Sequence, residues 1–239
     1  VDMGLQFPED DMPGIDYIIP NIEYLKGKEN KIRGVVITHG HLDHVGAVSH
    51  LVPQLGYPPV YATALARGII LKRHEDFPNA GKIEINIIKK TDKLSLGKFE
   101  IEFFHVNHNI PDSVGIVLNT PEGRIVHTGD FKFDHSPIGD EPADLARIVQ
   151  VASSDPSGNG GVLAMLSDST NAESAGHTIS ERQVQDSLEE IIKQADGRVI
   201  AATFGSLTSR LQQLINIAEK YDKKLAIDGY TMRTNFEIA

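Results

Sequence analysis

Cysteine and tryptophan are both absent from the 239 residues. Without cysteine there is no disulfide and no thiolate metal ligand, and a reducing compartment such as the cytoplasm is permitted. Without tryptophan, stacking on a nucleobase would fall to Phe, Tyr, His or Arg. Long apolar runs are missing too: nothing approaches the roughly 18 consecutive apolar residues of a membrane-spanning helix. The start, Val1-Asp2-Met3-Gly4, shows no basic region followed by an apolar core, so no signal peptide is visible. These absences lead us to expect a cytoplasmic protein with no membrane partner. Positive charge is scarce, with 23 Lys and Arg against 33 Asp and Glu and a net charge of −10. That balance argues against a broad basic surface for nucleic acid, but not against an enzyme that grips phosphates with metal ions in a local groove. No glycine-rich turn ending in Lys-Ser or Lys-Thr supports a nucleotide site. The Gly-rich stretch 153–161 reads instead as a flexible loop.

What is present centres on Thr38-His39-Gly40-His41-Leu42-Asp43-His44. The apolar run Val35-Val36-Ile37 before it reads as a buried strand, so these side chains emerge at a strand end. His39 and His41 are two residues apart, and an extended backbone points both the same way. Asp43 and His44 follow at the start of a helix-like segment and can face a second ion. Imidazole with carboxylate suits zinc, and manganese or magnesium can take such a site.

Other segments add candidates. Asp2, at what reads as the end of a strand, can orient a ligand histidine through its other ring nitrogen. Residues 6–21 carry three prolines and an acidic run, and read as an irregular surface loop. Val45 to Val52 has helical spacing. Val60-Tyr61-Ala62 followed by a helix over 64–73 gives a βαβ unit. Strands are expected at 83–89 and 99–106, with a turn-rich stretch at 91–98 between them. In the second strand Ile101 and Phe103 alternate with Glu100 and Glu102, so one face is buried. It delivers His108 into a loop, where it is preferred to His105 as a third ligand. A hairpin over 114–119 and 124–128 ends in Gly129-Asp130, and Asp130 is read as a carboxylate bridging two metals. His127, Asp134 and His135 lie near it but out of place for ligation, and His50 and His74 read as packing or surface histidines. Val162 to Leu166 is a further strand. Thr178 and Glu181 have capping-box spacing at the start of a helix. Near Gly197 a new unit begins: a strand at 198–203, a helix at 208–221 and a strand at 224–228. It does not close a sheet before Ala239, so the sequence is expected to be part of a longer chain.

The strings THGHLDHVGA, HNIPDSVGI, HTGDFKFD and LSDSTNAESAGHTISE, with FPEDDMPGIDYIIP before them, resemble the ribonuclease J family, a β-CASP branch of the metallo-β-lactamase superfamily. ATFGSLTSRLQQL is similar to the start of a β-CASP insert. The resemblance implies an α/β chain. Residues 1–196 would form an αββα metallo-β-lactamase sandwich, and residues 197–239 would begin a β-CASP domain. It also implies two zinc ions, RNA as substrate, both endonuclease and 5′-to-3′ exonuclease activity, and homodimers or a larger assembly. Carried over by position, Asp2 matches the family's first motif, and His39, His41, Asp43 and His44 match the second. His108 matches the third and Asp130 the fourth. His39, His41 and His108 would hold one ion and Asp43 and His44 the other, with Asp130 between them. Paired ions can activate water for attack on a phosphodiester, with Asp43 positioning the water or taking its proton. The family's late metal-binding histidine and phosphate-contacting Ser and His have no counterpart in these residues. Gly205-Ser206-Leu207-Thr208-Ser209-Arg210 also stands where a histidine usually precedes the arginine.

The motif alone equally serves hydrolysis of a small ester, lactone or β-lactam. A metal-stabilised, non-catalytic RNA-binding subunit is a third reading. Cleavage of RNA or of a chromogenic lactam separates the first two, and RNA association that survives loss of metal marks the third.

Overall fold

In the computed structural model, residues 1–153 and 161–238 are described. Two β-sheets face each other, each covered on its outer side by helices. The first is parallel, in the order β1 (Val35–Val36), β2 (Val60–Ala62), β3 (Ile85–Ile87). Three helices pack on it: α1 (Leu42–Val45), α2 (Val48–Gln54) and α3 (Ala64–His74). Val45, Val48, Val52, Ile69 and Ile70 from these helices form one core with Val35, Ile37 and Val60. The second sheet runs β4 (Lys93–Leu96), β5 (Phe99–His105), β6 (Val114–Thr120), β7 (Gly123–His127), β8 (Val162–Leu166). Its pairs are antiparallel except β7 with β8.

Alternation along β5 builds both faces of this second sheet. Ile101 and Phe103 point inward, to meet Val36 and Ile88 between the sheets. Phe104 points outward and packs with Val117, Val126 and Val151, the last from α4 (Leu145–Ser153). The layers are therefore helix, sheet, sheet, helix. Beyond them come α5 (Glu181–Gln194), α6 (Thr208–Lys220) and α7 (Tyr230–Ile238). Ile192 of α5 packs against Leu214 and Ile217 of α6.

Several expectations are corrected. The stretch 91–98 is not all turn: Lys93–Leu96 forms β4, because Leu94 and Leu96 alternate with polar residues and pair with β5 across Gly97 and Lys98. The segments 198–203 and 224–228 form no strand. A strand needs a neighbour for its backbone groups, and among the described residues neither segment has one in a sheet. Residues 1–5 are not a strand either. They thread between β1 and α1, with Asp2 N–H donating to Val36 O, Met3 N–H to His44 O and Leu5 N–H to Leu42 O. The cap of α5 is Ser180, not Thr178: its hydroxyl accepts from Gln183 N–H, and the Glu181 carboxylate is engaged elsewhere. The loop read at 153–161 lies mostly outside the described residues. Among the described residues no helix is long and apolar enough to cross a membrane.

Candidate metal centre

The centre lies where β1 ends and α1 begins. His39, fully buried, leaves the strand end, and His41 precedes the first turn of α1, which carries Asp43 and His44. His108 comes from the loop after β5 and Asp130 from the loop after β7. Gly129 adopts φ +60°, and a Cβ there would sit 3.1 Å from Thr38 Cβ, so glycine lets the chain turn tightly against β1.

Two groups of ligand-type atoms converge, His39 with His41 and His108, and His39 with His44 and Asp130. In the first, His41 Nδ1 is 3.1 Å from His39 Nε2 and 3.2 Å from His108 Nε2. Three imidazole nitrogens at that spacing cannot all find hydrogen-bond partners in one another, because each contact accepts a single proton. The ligand atoms lie within 4.8 Å of one another, and a cation among them would satisfy all three. Burial, reinforced by the neighbouring histidines, pushes His39 far below its ordinary value and His108 down to about 4. Burial lowers His41 as well. These rings are neutral at pH 7, the state in which imidazole binds metal.

Asp130 lies between the groups, with Oδ1 3.3 Å from His44 Nε2 and Oδ2 3.8 Å from His108 Nε2. Burial opposes the charged form of His44, but Asp130 and Asp2 overcome it and raise its pKa to about 10. The hydrogen bond from His44 holds the Asp130 carboxyl below the usual carboxylate range. Without metal, a proton on His44 Nε2 thus stands where a second cation would balance Asp130. The donor set fits metal binding on chemical grounds. Asp43 is farther out: its side chain is 67% exposed, with Oδ2 3.7 Å from His44 Nε2, and it belongs to neither tight group.

Asp2 stands behind the ring. Its Oδ1 accepts from Thr38 N–H at 2.8 Å, and its Oδ2 accepts from the Thr38 hydroxyl at 2.9 Å and from His44 Nδ1 at 2.8 Å. Thr38 Oγ1 spends its only proton on Asp2, so it accepts from His39 Nδ1, 3.0 Å away. Both Nδ1 protons are thereby fixed, and both Nε2 atoms turn to the centre. Thr38 is the relay in this arrangement and went unread in the sequence, where a lone threonine beside histidines carries no signal. Asp168 was also unread as a site residue. At the end of β8, its Oδ1 accepts from Thr170 N–H and hydroxyl, and its Oδ2 is 3.4 Å from Phe131 N. It braces the Asp130 loop, and an acid at a strand end before Ser-Thr was the available signal.

The other histidines lie outside the centre. His105 is buried, with Nε2 3.2 Å from Asp140 and 2.9 Å from Glu141 O. His127 Nδ1 accepts from Gly129 N–H. His50 packs between Tyr17 and Phe77. His74 bonds Ser49 and Gly81 O and is not free on the surface.

Comparison with known proteins agrees with this architecture. Residues 4–202 match the model of the metallo-beta-lactamase superfamily, and residues 196–239 match that of the ribonuclease J beta-CASP domain. The chain is similar to ribonuclease J of Thermus thermophilus, 40% identical over 97% of this chain and 40% of that protein. It is also similar to ribonuclease J 1 of Streptococcus pyogenes, 43% identical over 97% of this chain and 40% of that protein. Ribonuclease J of Helicobacter pylori is 38% identical, over all of this chain and 34% of that protein. The chain thus spans 34–40% of the length of these relatives. Among solved structures, a protein of unknown function from Enterococcus faecalis superposes with TM-score 0.60 at 17% identity, over 91% of this chain and 56% of that one, which bears on the fold alone. With layered sheets, strand-end histidines and both family matches in agreement, the chain belongs to the metallo-β-lactamase superfamily, as a ribonuclease J homologue that carries the start of a β-CASP domain.

Proposed function

We propose that the protein is a metal-dependent ribonuclease that hydrolyses RNA phosphodiester bonds, as a 5′-to-3′ exonuclease and endonuclease in RNA processing and decay. The observation that supports it most is the convergence of His39, His41 and His108 beside His44 and Asp130, in a chain 40% identical to a ribonuclease J. In this reading His39, His41 and His108 would hold one zinc ion, Asp43 and His44 would serve a second, and Asp130 would be a carboxylate ligand shared between them. Manganese or magnesium are alternative occupants. When bound, the pair supplies positive charge for the scissile phosphate and lowers the pKa of water for in-line attack.

The chain's own residues do the rest. Asp2 and Thr38 fix the ring orientations of His44 and His39. Asp43, exposed at the mouth, takes a proton on its carboxylate or orients the attacking water by hydrogen bond. A cavity of about 160 Å³ opens beside His41 and is also lined by Arg73, Ser206, Tyr230 and Thr231. Leu42, Ile69, Ile110 and Ile238 make most of its wall apolar, and the polar groups beside the ligands are few. Ser206 and the α7 residues Tyr230, Thr231 and Thr234, in the segment read as the start of a β-CASP domain, form one side of the cavity.

The test combines metal content per chain, in protein purified without added metal, with cleavage of 5′-monophosphorylated RNA by the same sample. Two metals with cleavage support the reading, and His41→Ala should abolish the cleavage. Turnover of a chromogenic lactam with no action on RNA would refute the RNA assignment. Wild-type RNA cleavage by His41→Ala would refute the site.

A further inference from the structure

Helix α5 opens on a carboxylate that serves three elements at once. Glu181 Oε1 accepts from Lys132 Nζ at 2.6 Å. Its Oε2 accepts from Arg210 Nη2 at 3.1 Å and from Gln213 Nε2 at 2.8 Å. The Glu181 side chain is only 13% exposed, and Gln213 is completely buried. Lys132 lies two residues after Asp130, and its N–H donates to the carbonyl of Asn107, the neighbour of His108. Arg210 and Gln213 belong to α6. The Glu181 backbone N–H reaches Asp134 Oδ2 at 2.8 Å, on the same loop as Lys132. A second tie runs parallel, from the Ser209 hydroxyl of α6 to Asn109 O at 3.1 Å, beside His108.

Charge explains why an acid must stand here. Lys132 and Arg210 converge on one site of low exposure, where like charges repel strongly. Glu181 pairs with both, and removing it leaves Arg210 without this carboxylate and Lys132 with the more distant Asp134 Oδ2, 3.7 Å away, in a site of low exposure. Burial opposes the Glu181 charge, yet Lys132, Gln213 and Arg210 hold its carboxyl below the usual range. Neither the metal-centre geometry nor the capping of α5, which Ser180 provides, accounts for this arrangement.

We propose that Glu181 is a positioning residue that holds helix α6 and the Asp130-bearing loop in one register, so that the segment beyond residue 196 is fixed against the metal centre. For its effect on metal this rests on the metal-binding reading above; for its effect on α6 it does not. The experiment uses Glu181→Gln, close in shape, in the intact protein. Hydrogen exchange over 206–220 reads the helix, and zinc titration of metal-free protein reads the centre. We expect exchange in α6 to quicken about tenfold, a loss of protection typical of local opening. We also expect the binding step that needs Asp130 to weaken about tenfold, the lower end of what outer-shell partners of metal ligands contribute. The step served by the three histidines should stay as it is. If both readouts match the parent protein, or if the two metal steps weaken equally along with the thermal midpoint, the positioning role is overturned. Parent protein that binds no zinc would refute the metal reading, and the exchange result would still decide the latch. Should Glu181→Gln fail to fold, Arg210→Met must loosen α6 while leaving zinc binding intact, and Lys132→Met must weaken the Asp130 step. Parent-like behaviour in both variants overturns the proposal.

Discussion

Replacing Asp2 by Asn keeps the side-chain shape and removes one of its two acceptors. In the parent, the carboxylate takes three hydrogen bonds, from Thr38 N–H, the Thr38 hydroxyl and His44 Nδ1, at 2.8, 2.9 and 2.8 Å. The Asn oxygen can serve the buried Thr38 N–H, which turns its NH2 toward His44. His44 Nδ1 must then accept, so the ring proton moves to Nε2, the atom that faces Asp130 at 3.3 Å. The parent also yields its Nε2 proton to a metal, but its Nδ1–H stays bonded to Asp2. In the variant a metal at Nε2 would drive the proton onto Nδ1, against the amide NH2, and affinity should fall about 10- to 100-fold, as for loss of comparable outer-shell partners. That is about 1.4–2.7 kcal/mol. Asp2→Ala does more. It strands the Thr38 N–H, which costs about 1–3 kcal/mol for a buried donor. It also puts Ala at φ +54°, where Asp and Asn are better tolerated, for roughly another 1 kcal/mol. Isothermal titration of metal-free protein reads the first effect, and scanning calorimetry the second. Asn should weaken one metal step with a thermal midpoint near the parent's. Ala should also lower the midpoint, by about 2–4 °C per kcal/mol in a chain of this size. If Asp2→Asn binds every ion with parent affinity, Asp2 does not set the His44 tautomer and the reasoning fails.

Other expectations follow from the same contacts. Gly4→Ala places a Cβ 1.5 Å from Asp43 O, backbone that cannot swing aside. The variant should lose stability at or above the top of the usual 1–3 kcal/mol, roughly, for overpacking, and a parent-like urea midpoint would contradict the threading of residues 1–5. Asp140 raises the pKa of His105, so the pair's contribution is full below the unfolded value of about 6.5 and fades as pH climbs through the raised folded value. Burial opposes the Asp140 charge, but His105 and Asn107 hold it low, so its contribution is full above about 3.9 and is lost as pH falls through the lowered value. His105→Gln should flatten the alkaline decline in urea midpoint of metal-free protein above about pH 6.5; an unchanged profile would contradict the pairing. Ile37→Ala empties a position with no exposure behind the ligands. It should cost about 2–5 kcal/mol in chemical denaturation, and a loss under 1 kcal/mol, roughly, would mean that the core there is loosely packed.

Local pattern by itself determined much of this protein. Val35-Val36-Ile37 before His39 and His41 placed two imidazoles at the end of a buried strand, because strand period and burial are properties of neighbouring residues. Ile101 and Phe103 fixed the inner face of β5 in the same way, and the spacing of Leu211, Leu214 and Ile215 disclosed α6. Only the tertiary structure decided what depends on distant segments meeting. The strand read at 198–203 had the composition but, among the described residues, not the partner. Leu94 and Leu96 became β4 because β5 was there to receive them. Asp2 and Thr38 are 36 positions apart, and their relay to His39 and His44 exists only after folding. Glu181 looked like half of a capping box and instead joined Lys132 to Arg210 and Gln213. Electrostatics followed the same division. Imidazole and carboxylate identities were written in the chain, but burial and proximity set which rings are neutral and which one keeps its proton, and both come from packing.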